Sequence, residues 1–195
     1  MFMEPRTLLL IKHAETQLTP EVTAERWTLT DRGRAQCGLL AERLRSYAPA
    51  IIVASAEPKA IETGQLVAAH LKIPLDTELG LHEHDRSNVP LVAREEFEAH
   101  MKAFFATPHE LVYGNETAHE SHQRFSLAVT KVLRENPVGA IGIVTHGTVM
   151  ALLLAGPNQR DVFEFWKCLT TPCVVVVDTG SWHIQTMIAD IAELS

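Results

Sequence analysis

The chain has 195 residues, 46% hydrophobic and 21% charged, which is enough to bury one sizeable core. Its net charge of −7 lacks the basic surface that non-specific nucleic-acid or anionic-membrane binding requires. No apolar signal core opens the sequence, no run approaches the roughly 18 residues of a membrane span, and Cys37, Cys168 and Cys173 form no CxxC pair, so one cytoplasmic domain over 1–195 with reduced thiols is expected.

In chain order, the first element is TLLLI (7–11), an apolar run that ends in Lys12 and His13. Like AIIVA (50–54), AIGIVT (140–145) and CVVVV (173–177), it does not alternate polar with apolar residues. Continuous runs of this kind suit strands covered on both faces, as in a parallel sheet. DRGRAQCGLLAERLRSY (31–47) has helical spacing, with Thr30 or Asp31 as its N-cap. EPKAIETGQLVAAHL (57–71) places Pro58 in a first turn, where its missing N–H costs nothing.

Residues 82–118 break this rhythm. They carry HEHDR and run into NETAHESH, around a helix near 92–105, and read as an insertion forming a lid or wall. ESHQRFSLAVTKVLREN (120–136) is amphipathic, and another helix begins at Gly147. Trp182 to Met187 is expected to pair back on CVVVV as an antiparallel edge strand, an edge open to homodimer formation. Strands alternating with helices specify an α/β fold, a three-layer arrangement with a mostly parallel sheet flanked by helices.

In open parallel sheets, ligands bind beyond the carboxyl ends of the strands. The first strand ends in Lys12-His13, the second in Ser55 with Lys59 just beyond, the third in Thr145-His146-Gly147. Two imidazoles and two ammonium groups therefore converge on one sheet edge from distant segments. Helix N-termini there add unpaired N–H groups and partial positive charge, a setting for phosphate. A neutral imidazole beside a bound phosphate is a nucleophile, and a second one can hydrogen-bond its oxygens.

KHAET (12–16) resembles the RHGET signature of the histidine phosphatase superfamily, also called phosphoglycerate mutase-like. LTDRGRAQCGLLAERL (29–44) is similar to that family's LTxxGxxQA helix, and VASAEPKAIETGQLVA (53–68) to its SSPxxRAxxTA segment. LGLHEHD (79–85) is similar to the LxE segment and IVTHGTVMALLL (143–154) to VxHGxxI. The resemblance implies a phosphatase acting on a small phosphomonoester through a phosphohistidine on His13, without metal or organic cofactor, with neither nucleic acid nor membrane as partner. It implies His146 as stabiliser of the transferring group and Glu83 as general acid. Lys12 and Lys59 stand where the family has two phosphate-gripping arginines, Gly147 permits close backbone approach, and Thr19 falls near a position that is often asparagine.

Two departures bear on activity. Arginine grips phosphate through a bidentate fork, whereas lysine is a mobile point charge. The glycine that follows the nucleophile in the family is Ala14 here. A weakened or non-catalytic phosphate-binding relative is therefore the alternative reading, and a phosphoglycerate-type mutase a further one. An unperturbed glutamate has a pKa of about 4.3 and is protonated roughly 0.2% of the time at pH 7, so Glu83 needs burial or an approaching phosphate to raise it. HEHD (82–85) and HESH (119–122) have ligand-type residues for zinc but neither matches HExxH, and they are read as lid or substrate contacts.

Overall fold

The structure is a computed structural model that describes residues 6–189 and residue 191. β1 (Thr7–Lys12) sends Leu8 and Leu10 into one core and Leu9 and Ile11 into the other, and all four are buried. Successive side chains leave a strand on opposite faces, so an unbroken apolar run requires cover on both.

The remaining elements supply that cover. α1 (Asp31–Leu44) starts at an N-cap where Thr30 Oγ1 accepts from Gly33 N–H at 2.9 Å. β2 (Pro49–Ser55) leads into α2 (Pro58–Leu71), which has Pro58 at its start as expected. β3 (Leu75–Glu78) follows, then α3 (Arg94–Ala106) and α4 (Ala118–Glu135). β4 (Ala140–Thr145) runs into α5 (Gly147–Ala155), then come α6 (Val162–Cys168), β5 (Cys173–Asp178) and β6 (Ile184–Ile188). α1 and α2 pack on the Leu9–Ile11 face, whereas α3 to α6 pack on the Leu8–Leu10 face.

The six strands lie in the order β3-β2-β4-β1-β5-β6. β1, β2, β3 and β4 are mutually parallel, β5 is antiparallel to β1, and β6 is antiparallel to β5. The last strand starts at Ile184 rather than Trp182, because Trp182 turns the chain with φ +60° and packs its indole on the core. The parallel registers Lys12↔Thr145 and Ala54↔Val144 bring the ends of β1, β4 and β2 to one edge of the sheet.

Two elements lacked a sequence signal. β3 reads LDTE, a short half-exposed edge strand with one apolar residue, and α6 has only seven residues. α4 begins two residues before the expected start because Thr117 and Glu120 form a capping box. Among the described residues, no helix is long and apolar enough to cross a membrane.

Candidate active site

The loop after β1 is fixed by backbone bonds from three directions. His13 N–H donates to Thr145 O at 3.0 Å, Ala14 N–H to Thr63 Oγ1 at 3.0 Å, and Glu15 N–H to Gln36 Oε1 at 3.2 Å. Gly33 explains how α1 seats this loop: a Cβ there would lie 2.2 Å from the Glu15 carbonyl oxygen. So fixed, His13 donates from Nδ1 to Ala14 O at 2.9 Å, which leaves the Nε2 lone pair free. Burial, reinforced by His146 and Lys59, holds the ring well below its usual pKa of 6.5, so it is neutral at pH 7.

His146 caps α5 and faces His13, the ring centroids 5.2 Å apart. Its Nε2 lies 2.9 Å from the Ser55 hydroxyl, which also accepts from Glu57 N–H at 3.3 Å. The Ser55 hydroxyl can donate to or accept from this nitrogen, and the other ring nitrogen, Nδ1, is buried and has no partner. Burial first and Lys59 second hold this ring also well below 6.5. The histidine pair expected from the sequence is therefore in contact, with one bare lone pair and one unpartnered nitrogen.

Lys59 is 4% exposed, and Glu57 beside it 7%. The Lys59 ammonium donates to Ala24 O at 2.7 Å and pairs with Glu57 Oε2. Glu57 Oε1 accepts from Glu83 N–H at 2.7 Å and stands 3.4 Å from His146 Nε2. Glu57 was not among the residues singled out from the sequence, where EPK reads as an ordinary helix start. Lys12 donates to Leu169 O at 2.7 Å and lies against the first turn of α5, where a Cβ on Gly147 would come within 3.4 Å of its Nζ. Burial lowers its pKa, opposed by Cys173 and Glu83.

Glu83 is tied to the N-terminus of α5. Its Oε2 accepts from Thr148 N–H at 3.1 Å, and Oε1 from Val149 N–H at 3.3 Å and from its neighbour His84 N–H at 2.9 Å. Burial would raise its pKa. Arg86, His146 and the amides outweigh burial and bring it down to about 2. The carboxyl is thus ionised in the unliganded protein.

The Glu83 loop is held from α4. The Arg124 guanidinium donates to the carbonyls of Gly80, His82 and Glu83 at 2.9, 2.9 and 3.1 Å and pairs with Glu116 at 2.5 Å. Arg86 is the opposite case. Its guanidinium lies 4.8 Å from the Phe97 ring centroid, and among the described residues no hydrogen bond or ion pair takes it up. HEHDR carried this residue in the sequence, but nothing in its spacing marked it for the site.

Thr19 stands apart from the cluster. Its carbonyl accepts from Val22 N–H and from Trp27 Nε1–H, both at 3.2 Å, and it shapes the loop. His84 is buried against Phe104 with ring centroids 4.1 Å apart, His82 donates from Nδ1 to Glu83 O at 2.8 Å, and His119 lies against His109. Among the described residues, no group of three or more histidine, cysteine, aspartate or glutamate side chains converges in a metal-binding arrangement. Lys59, Glu57, Glu83, Arg86 and Arg124 line one cavity of about 790 Å³.

The sequence model of the histidine phosphatase superfamily (branch 1) matches residues 8–190. No curated protein matches the chain. Among solved structures, the chain is similar to a mycobacterial glucosyl-3-phosphoglycerate phosphatase, with 18% identity, TM-score 0.74, and 96% of this chain and 100% of that one covered. It is similar to phosphoserine phosphatase from Entamoeba histolytica at 19% identity and TM-score 0.75, over 94% of this chain and 97% of that one. YhfR from Bacillus stearothermophilus aligns at 25% identity and TM-score 0.72, over 93% of this chain and 96% of that one.

Proposed function

This chain belongs to the histidine phosphatase superfamily, and from that premise we propose that it hydrolyses a small phosphomonoester through a phosphohistidine on His13. The observation that carries the proposal is the pairing of a neutral His13, its Nε2 left free by the Nδ1 bond to Ala14, with His146 at 5.2 Å. His13 Nε2 attacks phosphorus, and the N–P bond forms as the ester P–O bond breaks. His146 Nδ1–H, Lys12, Lys59 and Arg86 take the three peripheral oxygens, where preorganised donors contribute most. Water then attacks phosphorus, the N–P bond breaks, and inorganic phosphate leaves.

The leaving oxygen needs a proton that ionised Glu83 does not hold. A phosphomonoester has a second pKa of about 6, so the substrate brings that proton as its monoanion and Glu83 relays it. In the second half-reaction the same carboxylate accepts a proton from water. Glu57 is the anion that incoming phosphate must displace from Lys59.

The test is to mix the protein with a radiolabelled phosphomonoester, quench in alkali, and look for acid-labile label on the chain. Label present in the parent and absent in His13→Ala is the expected result, and release of inorganic phosphate rather than an isomerised ester excludes a mutase. A second reading has one observation in its favour: the Glu57–Lys59 pair already neutralises a phosphate-gripping cation. On that reading the fold binds a phosphorylated ligand without turnover, and no label accumulates on His13.

A further inference from the structure

A second cavity of about 420 Å³ lies beside the first. Ten of its fifteen lining residues are apolar, Leu18, Val22, Trp27, Val89, Leu91 and Phe97 among them, mostly from the loop after His13 on one side and the 86–97 segment on the other. The two cavities share Ala24 and Arg86 as a common wall. Leu18, Val22 and Leu91 are 60%, 37% and 44% exposed, so three of the large apolar side chains that this protein leaves in water line one concavity. Apolar side chains exposed together in a concave site mark a binding surface.

We infer that this cavity is the leaving-group subsite, and that the substrate is a phosphomonoester of an apolar alcohol or phenol: a medium-length alkyl chain or an aromatic ring. The inference rests on the phosphatase reading for its chemistry and goes beyond it in naming the substrate class. Arg86 is what ties the two spaces together. Its guanidinium lies over Phe97 in the apolar cavity and also acts on the charges of Glu83 and His146. It can therefore hold a phosphoryl oxygen while the organic group occupies the space between Trp27 and Phe97. The lining carries polar side chains at Glu21, Thr23, Arg86, Arg94 and Tyr113, but apolar residues outnumber them two to one, so burying an organic group there favours hydrocarbon over hydroxyls.

The experiment is a series of n-alkyl phosphates from propyl to octyl, whose leaving oxygens have equal basicity, with phosphoserine and 3-phosphoglycerate as polar comparisons. The expected kcat/KM rises about two- to fourfold per methylene until the cavity is full, and both polar esters fall below octyl phosphate. In Leu18→Asp and Leu91→Asp, both at exposed positions, the octyl-to-propyl ratio falls towards one. A flat series, or a preference for either polar ester, overturns the subsite while leaving the phosphatase reading in place. Should no ester turn over, Trp27 emission is followed by difference against Trp27→Phe, with propyl- and octylphosphonate as probes. Tighter binding of the octyl compound, weakened by Leu91→Asp, upholds the subsite although the phosphatase reading has failed. Equal or absent binding of the two overturns it.

Discussion

Glu57 turns one carboxylate oxygen to Lys59 Nζ and the other towards His146 Nε2, 3.4 Å away, so a residue of the chain itself serves as the counter-anion of the buried Lys59. In Glu57→Gln, Lys59 loses a buried counter-ion. Breaking such a pair from one side costs about 3 kcal/mol. The variant is expected to melt well below the parent in anion-free buffer, to recover most of that loss on adding phosphate or vanadate, and to bind vanadate at least about tenfold more tightly, since 1.4 kcal/mol corresponds to tenfold in affinity. Thermal melts with and without anion, and vanadate inhibition constants, test all three.

His146 and His13 are expected to fail differently when replaced. On the proposed mechanism His13→Ala leaves no acceptor for the phosphoryl group, and labelling of the chain is expected to be lost. His146→Ala removes one donor to the transferring group, and kcat is expected to fall by about 10²–10³-fold, with labelling retained but slow. Single-turnover kinetics separate the two.

Arg86 is the largest of the influences that lower the Glu83 pKa against burial. In Arg86→Ala the carboxyl therefore titrates above about 2, and the acid limb of kcat/KM moves to higher pH. Affinity for phosphate is expected to weaken about tenfold or more, with Arg86→Lys recovering only part, because an ammonium group lacks the bidentate fork. A pH profile together with phosphate inhibition constants checks both.

Acid stability follows from three buried histidines. His13 and His146 are held well below 6.5 and His84 is brought down to about 4, in each case chiefly by burial. Below pH 6.5 the unfolded chain takes protons that the folded one refuses, so stability falls as pH drops through 6.5. Glu83 adds a second loss between its ordinary range and about 2. His84 is buried and packs on Phe104, the ring centroids 4.1 Å apart. His84→Leu is expected to flatten the decline between pH 6.5 and 4 in denaturant unfolding measured across pH.

Arg124 positions the Glu83 loop through its bonds to three carbonyls and Glu116. Arg124→Lys keeps the charge but cannot donate to three carbonyls and Glu116 at once. A loss of about 2 kcal/mol in unfolding free energy is expected, together with a fall in kcat that exceeds any change in KM, read from steady-state kinetics on one ester.

The strands that bear His13 and His146 were legible because each is a continuous apolar run ending in a polar motif, and both signals are local. α1 and α2 were legible through their caps and apolar spacing. β3 was not, because LDTE becomes a strand only by pairing with β2. Glu57, Arg86 and Arg124 escaped for a related reason. A glutamate in a helix start, an arginine after HEHD and an arginine inside an amphipathic helix look like solvated charges until the fold shows what surrounds them. Glu83 was legible as a carboxylate of the site, but its ionised state depends on amides of α5 and on Arg86.

β1 has its register partners in β4 and β5, with Leu8 opposite Ile141 on one side and Val177 on the other. During synthesis β1 leaves the ribosome long before either neighbour exists. Pairings between such distant segments form slowly, and until they do the exposed LLLI run is a hazard for association between nascent chains. Assembly of the site around His13 is therefore a late event in the life of each polypeptide: a translation product stalled before β5 carries His13 just beyond a strand still missing one of its two neighbours, with that apolar edge open to other chains.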